Sequence, residues 1–206
     1  MSITLREYRK EDFRILQDII RETWHYDDFS SPKIAQKLAR VFFSSCLINY
    51  TYSCVALDNE KPVGIILVDK KAGHKRQLSL RIQQIRAIIS LYLSKEGRKV
   101  SKIFECVDGI DKELLKECGI DYPAELALFA VDGACRGKGI GKQLFQSALE
   151  YMKKQKLNTF YLFTDTSCNY GFYEHQGMIR KGGKEHTFYM NGKSVAMNFF
   201  IYDYTL

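Results

Sequence analysis

Three features of this 206-residue sequence point to a mixed α/β chain built around one central sheet. Short apolar runs stand near both ends, residues at helical spacing separate them, and a glycine-rich link joins an apolar run to a helix. In order, the elements read β-α-α-β-β, a helical insertion, then β-α-β-α-β-β.

Residues 3–8 alternate enough for a first strand, and apolar residues at 13, 16, 19, 20 and 24 put a helix over 10–24. Ser31 and Pro32 mark the next helix, with the proline where its missing N–H costs nothing. That helix is expected to end near Phe43. Residues 52–57 and 63–68 read as strands joined by Asp58-Asn59-Glu60-Lys61-Pro62, a hairpin signal. Leu78, Ile82, Ile85, Ile88, Ile89 and Tyr92 predict a basic amphipathic helix, and a shorter helix over about 111–118 stops at Gly119.

Residues 125–131 are apolar enough for a buried central strand. The helix that follows the glycine link places Ile140, Leu144, Phe145, Ala148, Leu149 and Met152 on its buried side. Residues 159–164 form another strand, a short helix lies around 170–175, and two long β-runs flank Asn191-Gly192, a two-residue turn. The expectation is a single domain over 1–206 with a basic helical insertion at about 69–122.

Composition narrows the function. Hydrophobic residues at 46% and 13 Tyr with 13 Phe exclude a disordered chain. The longest uncharged run, residues 41–57, is shorter than the ~20 residues of a membrane span and carries Ser44, Ser45, Asn49 and Thr51. The start of the chain has no secretory pattern, so a cytoplasmic protein without a membrane partner is expected. Six cysteines form no CxxC and four histidines no ligand spacing, so no metal is expected and the thiols read as reduced.

The net charge of +7 is unevenly placed. Residues 70–102 hold ten Lys and Arg against Glu96 alone, or +9, leaving −2 for the rest. Either this is a solvated helix face, or it is a landing surface for an acidic partner or phosphate-bearing ligand.

Arg136-Gly137-Lys138-Gly139-Ile140-Gly141 sits between a strand and a helix. Free N–H groups and the positive dipole end at such a helix start favour an anion such as pyrophosphate. Two phosphate motifs fail here. A dinucleotide fingerprint needs glycine at position 142, where Lys142 stands, and a P-loop needs Ser or Thr where Gln143 stands. The pattern that fits is Arg136-x-x-Gly139-x-Gly141 after Glu125-Leu126-Ala127-Leu128-Phe129-Ala130-Val131, followed downstream by Phe172-Tyr173-Glu174-His175-Gln176-Gly177-Met178. Together, over about residues 124–180, these resemble the acetyl-CoA loop, fourth strand and Phe-Tyr-x-x-x-Gly-Phe helix of the GNAT superfamily of N-acetyltransferases.

The resemblance implies a mostly antiparallel central sheet with helices on both faces. Its fourth and fifth strands run parallel and splay to admit the pantetheine arm of acetyl-CoA. Main-chain groups of Phe129, Ala130 and Val131 would pair with that arm, and amides from Arg136, Gly137, Lys138, Gly139, Ile140, Gly141 and Lys142 would wrap the pyrophosphate. Tyr173 matches the family's acid. Glu125 stands where one branch carries its base; its other reading is a strand-edge surface residue. Relatives place an asparagine seven residues before the tyrosine, but Thr166 stands there. Asn169, four residues before, has two roles open to it, capping the short helix or reaching the cofactor. Trp24, Tyr26, Asp27 and Asp28 fall where relatives build their acceptor wall, though helix capping and core packing would use the same residue types.

Acyl transfer to an amine sets the energetic terms. A lysine-like amine of pKa ~10.4 needs about 4.6 kcal/mol to stand neutral at pH 7, and a nearby carboxylate, directly or through water, can accept the proton it loses. A phenol of pKa ~10 protonates a thiolate of pKa ~8.5 at a cost near 2 kcal/mol, so hydrogen bonding fits Tyr173 better than full prior transfer. The expected function is acetyl-CoA-dependent N-acetylation of a small-molecule or peptide primary amine by direct attack. Two other functions stay open: a thiol enzyme using Cys168 with His175, or an acyl-CoA-binding module whose basic helix meets an acidic partner. Nucleic acid is not the expected partner, as no binding signature is present. A homodimer is left open.

Overall fold

The computed structural model describes residues 3–72, 78–190 and 193–206. The strands are β1 (Ile3–Arg6), β2 (Tyr52–Asp58), β3 (Lys61–Lys70), β4 (Ala124–Val131), β5 (Thr159–Asp165), β6 (Ile179–Met190) and β7 (Lys193–Thr205). The helices are α1 (Phe13–Thr23), α2 (Pro32–Asn49), α3 (Leu78–Tyr92), α4 (Lys95–Cys118), α5 (Ile140–Lys154) and α6 (Gly171–His175). They form one seven-stranded sheet, ordered β1-β2-β3-β4-β5-β7-β6, in which only the β4–β5 neighbours run parallel. This is the mixed α/β architecture expected from the order of elements.

Alternation along the strands sends side chains to two cores. On one face, α5 buries Ile140, Leu144, Phe145, Ala148, Leu149 and Met152 against strand residues such as Ile66, Leu126, Phe160 and Leu162. On the other, α1 and α2 bury Leu16, Ile20, Leu38 and Phe43 against Val55, Ile65, Leu67 and Leu128. The β5–β7–β6 half of that second face is covered by α4, through Ile110 and Leu114 against Tyr161, Phe199 and Ile201.

Several expectations need correction. α2 continues past Phe43 to Asn49. Ser45, within that extra stretch, bonds back to the Val41 carbonyl at 2.9 Å, so its hydroxyl does not compete with the helix. The helix expected over 111–118 is the last third of α4, which starts at Lys95 under a Ser94 side chain accepting from the Gly97 N–H. Gly97 breaks the apolar pattern because a Cβ there would meet the Leu91 carbonyl oxygen at 2.0 Å, where α3 turns into α4.

The largest correction concerns α3. The helix is present, but its apolar stripe points outward: Leu78, Ile82, Ile85, Ile89 and Tyr92 are all exposed, Leu78 to 72%. Its other face, with Leu80, Ala87 and Leu91, is the buried one. Polar contacts hold it to α2, with Gln84 Nε2 on Ser45 Oγ at 3.0 Å and Lys37 Nζ on the Ser90 carbonyl at 2.6 Å. A small residue, Ala87, lets the two helices approach closely.

The Asp58-to-Pro62 hairpin turns on Asn59 and Glu60, both left-handed at φ 49° and 65°. The Asn191-Gly192 turn lies outside the described residues, although β6 and β7 pair up to Met190 and Lys193. Among the described residues, no helix is long and apolar enough to cross a membrane.

Candidate active site

β4 and β5 touch at one register pair, Glu125 with Tyr161, and then part. Just past that pair β4 carries a bulge: Leu126 pairs with Val68 and Leu128 with Leu67, which leaves Ala127 without a register partner. Its carbonyl faces Cys46 of α2, with Sγ at 3.6 Å. Beyond the divergence the two strands enclose a cavity of about 520 Å³.

The glycine loop closes one end of the cavity. α5 opens at Ile140 behind Gly139, with no side-chain cap, so its first-turn amides have no carbonyl one turn back. The N–H of Gln143 is the first to reach back, to the Gly139 carbonyl at 3.1 Å. Gly137 and Gly139 are left-handed at φ 76° and 77°, and a Cβ at either would meet nothing within 4 Å. The loop thus brings an open, glycine-rich stretch of backbone to the positive end of a helix, which suits a diphosphate. Phe129, Ala130, Val131, Arg136, Gly137 and Gly139 line the cavity, as do Ile140, Gly141, Lys142 and Asn169. Lys138 is not in that lining. α6 has no side-chain cap, so Asn169 does not serve as one.

Tyr173 is 9% exposed and lines the same cavity, its ring 6.2 Å from that of Phe129. Burial pushes its phenol well above the ordinary value, with Cys168 and Asp165 adding in the same direction. Glu125 also lines the cavity. Burial raises its carboxyl, opposed by the Tyr161 hydroxyl, which donates to Oε2 at 2.9 Å. A raised carboxyl is a better proton acceptor, and a raised phenol a poorer full donor.

The expected acceptor wall is divided. Trp24 lines the cavity and packs its ring 5.0 Å from Phe42. Tyr26 is core, at 3% exposure. Asp27 accepts from Arg21 Nε at 2.6 Å, and with Asp28 it borders a second cavity of about 420 Å³ under α4 and β6. The structure adds two polar residues that sequence reasoning missed, Thr23 at the end of α1 and Asp111 in α4. An internal aspartate on a charged helix carries no sequence signal for this.

The thiol alternative finds Cys168 on the cavity wall, its thiol pushed up to about 12 chiefly by burial. The His175 Nδ1 is turned to the Gly171 carbonyl at 2.6 Å. A thiol–imidazole contact does occur elsewhere, between Cys106 and His186 at 3.4 Å.

The sequence model described as "Acetyltransferase (GNAT) family" matches residues 114–178, from the end of α4 through α6. No curated protein matches the chain. Among solved structures, an N-acetyltransferase from Staphylococcus aureus Mu50 is 15% identical, aligned over 100% of this chain and 99% of its own, with a TM-score of 0.59. The PaiA N-acetyltransferase from Thermoplasma acidophilum, in complex with coenzyme A, is 17% identical over 100% of both chains, with a TM-score of 0.54. A chain of the NatC complex bound to Gag peptide and CoA is 18% identical over 100% of this chain and 99% of its own, at 0.53. At such identities the structural likeness is one of fold. Residues 114–178 are thus similar in sequence to the GNAT acetyltransferase family, and the chain throughout shares the fold of solved N-acetyltransferases.

Proposed function

We propose that the chain moves an acetyl group from acetyl-CoA to a primary amine by direct attack, in the cavity where β4 and β5 part. The observation that carries this is the alignment of three features along one cavity. An amide cradle lies at one end, the open β4 edge in the middle, and two titratable groups, Glu125 and Tyr173, face the space beyond.

In this reading the amides from Gly137 to Lys142 hold the diphosphate, while the Arg136 N–H is given to the Gly133 carbonyl at 3.3 Å and its side chain adds charge from the lining. Main-chain groups of Phe129, Ala130 and Val131 pair with the pantetheine arm, because β5 has moved away and left that strand edge open. Asn169 contacts the arm from the far side. Glu125 takes a proton from the ammonium, directly or through water, and the freed lone pair attacks the thioester carbonyl. The nitrogen gives its second proton to water as the tetrahedral intermediate collapses, the C–S bond breaks and the thiolate leaves. Tyr173 stabilises that thiolate by hydrogen bonding, since its raised phenol makes full transfer costly.

The acceptor is a small amine or a peptide amine; the peptide-bound NatC chain shares the fold. A panel of amines offered with acetyl-CoA, reading released thiol, tests the reaction. Thiol release that requires an amine, with mass gain of one acetyl group on it, is the expected result. Coenzyme A found outside the β4–β5 cavity in a crystal would overturn the assignment.

A further inference from the structure

Three buried side-chain oxygens among the described residues lack any hydrogen-bond partner: Thr23 Oγ1, Asp58 Oδ1 and Asp111 Oδ1. Folded interiors rarely leave such atoms unmatched. Two of the three, Thr23 and Asp111, line the β4–β5 cavity. They reach it from separate elements, the last residue of α1 and the last third of α4. Both elements pack on the face of the sheet opposite α5.

The charges around the cavity are sorted. Its lining holds three carboxylates, Asp111, Glu125 and Asp165, and two cations, Arg136 in the glycine loop and Lys142 in the first turn of α5. Asp165 is engaged by Ser167, whose N–H donates to Oδ1 at 2.7 Å, and Glu125 by Tyr161 at 2.9 Å. Lys71 acts on Glu125 from outside the lining, where it faces Asp121 at 3.6 Å and the Tyr161 ring at 5.6 Å. Asp111 therefore brings a negative charge that no lining cation answers. Apolar side chains of Trp24, Phe42, Val107 and Phe199 share the lining.

We propose that Asp111 and Thr23 form the seat for the ammonium group of a cationic acceptor whose stem is apolar, held among Trp24, Phe42, Val107 and Phe199. This rests on the acyl-transfer reading of the same cavity and specifies its acceptor. An ammonium has three donors and no acceptor. Asp111 Oδ1 and Thr23 Oγ1 are two acceptors in want of donors, and the carboxylate supplies the opposite charge where little water screens it. A helix of the expected insertion then contributes the residue that selects the substrate. A neutral isostere such as an alcohol has one donor and no charge, so it leaves at least one of the two oxygens unmatched and forgoes the attraction to the carboxylate.

Trp24 is the only tryptophan of the chain and lines the cavity, which makes its fluorescence a direct reporter. The coenzyme A-loaded protein is titrated at pH 8 with n-hexylamine, a cation, and with 1-hexanol, its neutral counterpart. The wild type should bind the amine at least about tenfold more tightly. In Asp111→Asn that preference should fall below about threefold while hexanol affinity stays the same. Thr23→Val should weaken the amine alone, and it carries the test if Asp111→Asn does not fold. Equal affinities in the wild type, or a preference that survives both substitutions, would overturn the proposal. Calorimetry with coenzyme A on the same proteins separates the two levels. Binding of coenzyme A without amine preference sinks this inference alone, whereas no binding to the wild type sinks the acyl-transfer reading and this inference with it.

Discussion

Tyr161 donates its hydroxyl to Glu125 Oε2 at 2.9 Å, and the same two residues are the register pair that joins β5 to β4. The last point of contact between the diverging strands is therefore also the point where the half-buried carboxylate is fixed. Tyr161 is itself 4% exposed and packs its ring 5.1 Å from Tyr122. Tyr122 in turn donates to Asp203 at 2.9 Å. Glu125 thus stands on a rigid aromatic support instead of a mobile loop, as a positioned base requires.

Tyr161→Phe removes that hydrogen bond while keeping the ring. A bond to the charged form lowers a carboxyl, so its loss raises Glu125 further. The acid limb of the kcat/KM profile should move to higher pH by about one unit, given ~1–1.5 kcal/mol for the bond. An unmoved limb would show that Glu125 is not the group titrating in catalysis.

Tyr173→Phe should lower kcat by about a hundredfold and leave coenzyme A affinity within about threefold, since the hydroxyl acts on the departing thiolate. Steady-state kinetics with calorimetric binding measures both. Intact turnover would return Tyr173 to a packing role, consistent with its 9% exposure.

Asp111 makes stability depend on pH. Burial first, then Glu125, Asp108 and Asp165, raise its carboxyl from 3.8 to about 7. The folded state then binds more protons than the unfolded state between about pH 4 and 7, so this group's contribution to stability falls as pH rises through that window. Asp111→Asn should raise Tm by several degrees at pH 8 and leave it nearly unchanged at pH 4, read by scanning calorimetry. A side chain whose removal stabilises the protein while weakening amine binding is retained for the ligand.

The outward stripe of α3 separates packing from pattern. Ile85→Ser and Ile89→Ser alter exposed side chains and should shift unfolding free energy by no more than about 0.5 kcal/mol. Leu91→Ala, on the buried face at 3% exposure, should cost about 2–5 kcal/mol. Denaturant unfolding compares the three. Equal losses would mean that the stripe is covered in the native protein.

Local signals were enough for much of the site. The cradle could be read directly because glycines at 137 and 139 answer to backbone geometry, which is local, as is the start of α5 behind them. Glu125 and Tyr173 stood in motifs whose spacing survives any packing. The acceptor end could not be read that way. Asp27 looked available until Arg21, six residues earlier, took its carboxylate, and Asp111 looked like one more charge on a surface helix.

The order of elements and the amide cradle at the head of α5 were set by the sequence alone, because each depends on neighbours a few residues away. Which face of α3 meets α2, and that α4 carries Asp111 to a cavity shared with Thr23 and Glu125, were decided only by the tertiary structure. Helical periodicity says that a helix has an apolar face. It does not say which partner lies across it, since that contact joins residues dozens of positions apart and is won by the best total packing and hydrogen bonding.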